Sequence, residues 1–78
     1  MKLHHLKIEM KYLDRIIDGS KKFEIRRKDR DFQAGDQIQF IPSEDCRRNF
    51  YAIITYVLDF PDGLKDGYVA LGIELMDN

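Results

Sequence analysis

From His4 to Met10 apolar and polar residues alternate, with Leu6, Ile8 and Met10 on one side and His5, Lys7 and Glu9 on the other. A period of two marks a strand with one buried face, which predicts a first strand near Leu3–Ile8. The period then lengthens. Met10, Leu13, Ile16 and Ile17 recur at helical spacing while Lys11, Asp14, Arg15 and Asp18 point elsewhere, and Gly19 stands where a helix commonly stops in a left-handed turn. A two-turn helix over Lys11–Asp18 is predicted. Phe23 and Ile25 next alternate with Lys22, Glu24 and Arg26, which predicts a short strand with its apolar side inward and its charged side exposed.

Arg27 to Asp31 is a run of charge and reads as solvated loop. The Ala34-Gly35-Asp36 turn leads into a predicted strand, Gln37–Ile41, ended by Pro42, and Ser43–Asn49 is a polar loop. Tyr51–Leu58 carries β-branched and aromatic residues on both faces, which predicts a central strand buried on two sides. Pro61-Asp62-Gly63 and Asp66-Gly67 are turn chemistry, and Val69, Leu71, Ile73 and Leu75 line one face of a last predicted strand, Tyr68–Leu75. Five short strands and one early helix predict an α+β protein, a strongly curled five-stranded sheet or partial barrel with one short N-terminal helix.

With 78 residues, the chain has material for one core, so residues 1–78 are expected to form a single domain. Thirteen Lys and Arg against fourteen Asp and Glu give a formal net charge of -1, so no global field draws in nucleic acid or membrane. Any electrostatic signal must be local. Cys46 is the sole cysteine, which removes an intramolecular disulfide and fits a reducing compartment. The N-terminus lacks the apolar run of a signal peptide and no stretch approaches a membrane span, so a cytoplasmic protein is expected.

The local signal lies between Lys21 and Arg30, where Lys21, Lys22, Arg26, Arg27, Lys28 and Arg30 fall close together. Phosphates suit such a patch, since Arg offers a planar fork of donors and Lys a point charge. The plainer reading is a solvated loop partly neutralised by Glu24, Asp29 and Asp31. Directly after the helix, Gly19, Lys21, Glu24 and Arg26 make the pattern Gly-x-Lys-x-x-Glu-x-Arg, followed ten residues on by Phe32-Gln33-Ala34-Gly35-Asp36.

In these residues, and again in Gly67-Tyr68-Val69-Ala70-Leu71-Gly72-Ile73, the chain resembles the ASCH domains of the PUA-like superfamily, in particular their short bacterial and phage-associated branch. The resemblance covers about half of the chain directly. It implies a small PUA-like β-barrel with the motif lining a cleft between helix and barrel, and RNA or a nucleotide as partner. In that reading Gly19 lets backbone approach the ligand, Lys21 and Arg26 supply charge, and Glu24 orients Arg26 or accepts from a base amino group. Arg27, Lys28 and Arg30 extend the basic surface. Phe32, Tyr51 and Tyr68 are candidate platforms for base stacking, Tyr68 the best placed by alternation.

Some small ASCH proteins are amidohydrolases on acylated pyrimidine nucleosides that use a lysine, a threonine and a glutamate. Lys21 matches that lysine, but Glu24 stands in the threonine position, and the segment carrying the glutamate is reduced to the turn Asp59–Gly67. Lys21 and Glu24 are the catalytic candidates if the chain is an enzyme, with Glu74 a conceivable substitute carboxylate. A protein–protein adaptor is a third class. His4 and His5 point to opposite faces of a strand, so neither a metal nor a cofactor is expected. Cys46 has no predicted histidine base and reads as a spectator thiol, with Arg47 and Arg48 beside it.

Overall fold

The computed structural model describes residues 1–76. Strands β1 (Leu3–Ile8), β2 (Phe23–Arg27), β3 (Gln37–Pro42), β4 (Phe50–Leu58) and β5 (Tyr68–Leu75) and the helix α1 (Met10–Ile17) follow the predicted order. They form one five-stranded sheet in the order β1-β3-β4-β5-β2. β1 runs parallel to β3, and every other neighbouring pair is antiparallel. The sheet curls into a half-barrel, and β1 and β2, at its two edges, flank an open seam.

Leu6, Ile8, Ile38, Phe40, Ala52, Ile54, Val69, Leu71 and Ile73 fill the concave side, closed by Leu13 and Ile16 of α1 and by Phe32 from the loop after β2. Alternation supplies one buried row per strand, and the helix adds the apolar stripe that the 3.6-residue period predicts. The curl is helped by a bulge in β4 between Ile54 and Tyr56. Gly72 faces that bulge, where a Cβ would meet Thr55 Oγ1 at 3.0 Å.

Three expectations are corrected. β4 is central in the sheet, but only Ala52 and Ile54 are buried along it, while Tyr56 is 64 % exposed, because no layer covers the convex side. β2 is inverted: Phe23 and Ile25 are about half exposed, whereas Glu24 is buried to 7 % and faces the concave side as the cross-strand partner of Leu71. Alternation fixes the period of a strand but not which row is inside. Phe32 is a core residue, 6 % exposed and packed on the His4 ring, and is no stacking platform.

The helix sits one residue earlier than predicted at each end. Glu9 makes no side-chain cap. The first helical N–H, of Met10, donates instead to the Glu44 carboxylate at 3.1 Å and 3.3 Å, from the polar loop after β3. A negative group at a helix N-terminus satisfies an orphan donor and complements the dipole. At the other end Gly19 takes φ +87°, its N–H donates to Ile16 O, and the Lys21 N–H donates to Arg15 O at 2.9 Å. This turn ties the start of the motif to the last turn of α1.

Candidate functional site

Inversion of β2 places the motif. Because Glu24 points to the concave side near the open seam, its carboxylate leaves water and needs cationic partners. Lys21, delivered by the Gly19 turn, donates to Glu24 Oε1 at 2.5 Å. Arg26, two residues along and on the same face, donates from Nε to Oε2 at 2.8 Å. The side chains of Lys21, Glu24 and Arg26 are 17 %, 9 % and 23 % exposed, so the cluster is mostly desolvated, with a formal charge of +1. Arg26 also donates from its terminal nitrogen to Lys7 O on β1 at 2.6 Å. One side chain therefore bridges the seam that no backbone ladder closes.

Beside the cluster lies a cleft of about 320 Å³, lined by Tyr12 of α1 and by Lys21, Phe23, Glu24 and Ile25. Lys21 Nζ stands 5.6 Å from the centre of the Tyr12 ring and 5.3 Å from that of Phe23. Both rings are about half exposed, so the ammonium has two partly solvated aromatic neighbours. A second cavity, of about 230 Å³, lies on the other side of Lys21 and is bordered by Gly19, Lys22, Ile73 and Glu74.

The remaining basic residues do not converge on the cleft. Lys28 pairs with Asp59, and Arg30 lies by Asp29 and over the Phe32 ring. Arg27 turns to the convex side, its guanidinium 5.9 Å from the Tyr68 ring. Alternation along β2 separates Arg26 from Arg27, and the loop carries Lys28 and Arg30 away. Tyr68 is thus on the convex face, away from Lys21, and Tyr51 is on that face too, as the partner of Gln39. Gly19 borders the second cavity, with open space where a Cβ would stand; its need for glycine comes from its φ.

Tyr12 and Phe23 are the site residues that sequence reasoning misses. Tyr12 lies off the Met10, Leu13, Ile16 stripe, so its exposure is legible, but its approach to Lys21 requires the fold. Phe23 is assigned to the core by the same step that inverts β2.

A buried pair lies behind the first strand. His4 and Asp36 are 5 % and 3 % exposed, and Nε2 of His4 is 2.9 Å from Oδ2 of Asp36; Oδ2 also accepts the Gln33 N–H, and Oδ1 accepts the Lys2 N–H. Burial, the largest influence, pushes the Asp36 carboxyl up, but these hydrogen bonds and the charge of His4 outweigh it and lower it from 3.8 to about 2. An ionised carboxylate only accepts, so His4 donates through Nε2. The Gly35-Asp36 turn therefore locks β1 to β3 and has no opening to the cleft.

Among the described residues no group of three or more His, Cys, Asp and Glu side chains is arranged to hold a metal ion, and Cys46 is exposed. Among the same residues no helix is long and apolar enough to cross a membrane.

The half-barrel has a solved counterpart. A crystal structure of hypothetical protein PH0355 superposes with a TM-score of 0.69 over 97 % of this chain and 100 % of that one, at 19 % identity, a likeness of fold. In sequence, the chain is 37 % identical over 73 residues to an "uncharacterized 12.9 kDa protein in GpA 3'region" of Escherichia phage P2. The match takes in 90 % of this chain and 66 % of the phage protein, so the chain spans just under two thirds of that relative's length. The pattern of one family runs through residues 3–73, nearly the whole fold including the cleft, and the chain belongs to that family, the domain of unknown function DUF3850.

Proposed function

We propose that the cleft between α1 and β2 binds a nucleotide, either free or as one unit of an RNA chain. The observation that carries this reading is the placement of Lys21 between the exposed rings of Tyr12 and Phe23, at 5.6 Å and 5.3 Å, over an open cleft. Aromatic faces stack on bases, and a cation between them serves the phosphate. Lys21 and Glu24 line the cleft and Arg26 backs Glu24 from outside that lining, so the cluster as a whole carries a formal charge of +1 beside the cleft. Oε1 of Glu24 accepts from Lys21 alone, which leaves it a lone pair that suits a base amino donor at the rim. The likeness of Gly19–Arg26 to the ASCH motif, and with it a PUA-like ancestry of the half-barrel, supports the same ligand class.

Anisotropy titrations with labelled RNA oligonucleotides, with mononucleotides as competitors, test the reading in wild type, Lys21→Ala and Tyr12→Ala at two salt concentrations. Weaker binding by both variants, with a salt dependence that flattens in Lys21→Ala, is expected. Equal binding by all three proteins, or by none, overturns it. Competition by mononucleotides separates the free ligand from the polymer.

Hydrolysis of a modified nucleoside has less support. Held as an ion pair with Glu24, the Lys21 ammonium has no lone pair with which to attack. Glu74, the substitute carboxylate, borders the second cavity and not the cleft that holds Tyr12 and Phe23. Release of carboxylic acid from acylated cytidines by purified protein, abolished in Lys21→Ala, would restore that reading.

A further inference from the structure

β2 is an edge strand, and the ladder on its paired side decides which backbone groups face the seam. The Ile73 N–H donates to Lys22 O and the Lys28 N–H to Gly67 O. In the antiparallel register with β5, these bonds assign the N–H and C=O groups of Glu24 and Arg26 to the ladder as well. The N–H and C=O groups of Phe23, Ile25 and Arg27 therefore point the other way, into the seam, where among the described residues no strand pairs with them. β1 obeys the same alternation. The Gln37 N–H donates to Lys2 O and the Ser43 N–H to Ile8 O, which turns the carbonyls of Leu3, His5 and Lys7 outward. Lys7 O, the group that Arg26 reaches, is one of them.

β1 and β2 run in opposite directions across the seam, since β1 is parallel to β3 and three antiparallel steps lead from β3 to β2. Beyond Lys7 the chain leaves β1 and enters α1, so the first half of β2 faces the helix and not a strand. That interval is the cleft, and its lining includes Phe23 and Ile25 together with Tyr12. In an extended chain the carbonyl of one outward residue and the N–H of the next outward residue are neighbours, so Phe23 C=O and Ile25 N–H form an acceptor–donor pair at the cleft wall. A peptide strand would need a longer open run, and the Arg26 side chain crosses the seam just past Ile25. A planar base needs only one acceptor beside one donor, and the Watson–Crick edge of each of the four bases matches such a pair. The Phe23 side chain leaves β2 on the convex side, and α1 covers the concave side. A base in the plane of the sheet is thus flanked by Phe23 and Tyr12.

From this geometry we infer that the cleft reads the Watson–Crick edge of an unpaired base through the backbone of β2. The Ile25 N–H donates to the base, the Phe23 C=O accepts from it, and Lys21 serves the phosphate. The inference rests on the nucleotide reading of the cleft and deepens it: the ligand is a nucleotide whose pairing edge is free, in a single strand or as a monomer, and a duplex is excluded. The backbone pair recognises the free edge and does not choose among the four bases.

Competition against a labelled single-stranded RNA tests this with UMP and GMP beside N3-methyl-UMP and N1-methyl-GMP, whose methyl group replaces the edge donor. C5-methyl-UMP, with its methyl group off that edge, is the control. Both edge-methylated nucleotides are expected to compete at least about tenfold more weakly, because the Phe23 carbonyl is left without a donor, while C5-methyl-UMP competes like UMP. A duplex of the same RNA is expected not to compete. Equal competition by methylated and unmethylated nucleotides, or by the duplex, overturns the inference and leaves the cleft reading intact; no binding of any nucleotide or of the RNA overturns both. Amide hydrogen exchange reads the backbone directly. In the free protein Ile25 should exchange fast and Glu24 and Arg26 slowly, and UMP but not N3-methyl-UMP should slow Ile25. An Ile25 amide that bound UMP leaves unprotected overturns the inference. Ile25→Pro removes the donor and keeps the ladder to β5, since an edge strand accepts proline where its nitrogen faces outward, and should lose at least about tenfold more affinity than Ile25→Ala. Equal affinity of the two folded variants overturns the inference, and should thermal melts show the proline variant unfolded, the methylated nucleotides decide alone.

Discussion

The ammonium of Lys21 lies 2.5 Å from Oε1 of Glu24, and this contact holds the helix turn against the free edge of β2. Glu24 has taken an inward position that an apolar residue would ordinarily occupy, and it is tolerated because Arg26 satisfies the second oxygen. Removing the carboxylate leaves two cations partly desolvated and unpaired. Glu24→Ala is expected to cost about 2 kcal/mol, below the roughly 3–5 kcal/mol of a fully buried pair because Lys21 and Arg26 keep some access to water. Lys21→Met, which leaves Arg26 on Glu24, should cost less than half as much. Urea unfolding midpoints compared at constant slope give the answer, and a loss from Glu24→Ala no larger than that of an exposed ion pair would refute the account.

Phe23 and Phe32 provide a contrast between two aromatic residues of one chain. Phe32 is buried on His4, and Phe32→Ala should destabilise by about 3–4 kcal/mol. Phe23→Ala removes a half-exposed ring and should change stability by less than about 1 kcal/mol while weakening RNA binding. Thermal melts and anisotropy on the same two proteins check both halves. The reverse assignment would mean that β2 has the opposite face inward.

At Gly19 the φ of +87° belongs to a region that residues with a Cβ enter at a cost, and nothing lies within 4 Å of the place a Cβ would take. Gly19→Ala should therefore cost about 1–2 kcal/mol from backbone conformation alone, and Gly19→Asn less. Because the turn delivers Lys21, binding should weaken in step with any shift of that residue. Chemical denaturation of the two variants measures the difference, and equal stability of Ala and Gly would contradict the left-handed turn.

Asp36 sets the acid limb of stability. Its carboxyl is lowered to about 2 in the fold against 3.8 in the open chain, so the unfolded state takes up the proton first as pH falls. The contribution is complete above about pH 4 and is lost as the pH falls toward about 2, and it amounts to no more than about 2 kcal/mol. Asp36→Asn should lower stability at neutral pH and flatten the decline below pH 4. Unfolding free energies collected across that range for both proteins test the sign, and parallel curves would assign the acid limb to other carboxylates.

The order of elements, the end of α1 at Gly19 and the inward rows of β1, β3 and β5 follow from period and turn chemistry, which are properties of neighbouring residues. The sequence by itself also places Lys21, Glu24 and Arg26 within a few residues of one another, so their mutual pairing needs only a strand that starts after a tight turn. Four relationships depend on residues far apart in the chain, and the tertiary structure alone decided them: the Arg26 bridge to Lys7, the Glu44 cap on α1, Tyr12 beside Lys21, and the row Phe23–Gly72–Tyr56. The face of β2 is the clearest case. An alternating strand buries either row equally well by local criteria, and the charged row went inward at the edge of the curled sheet, where Lys7 O of β1 accepts from Arg26 across the open seam, a condition that no local pattern encodes.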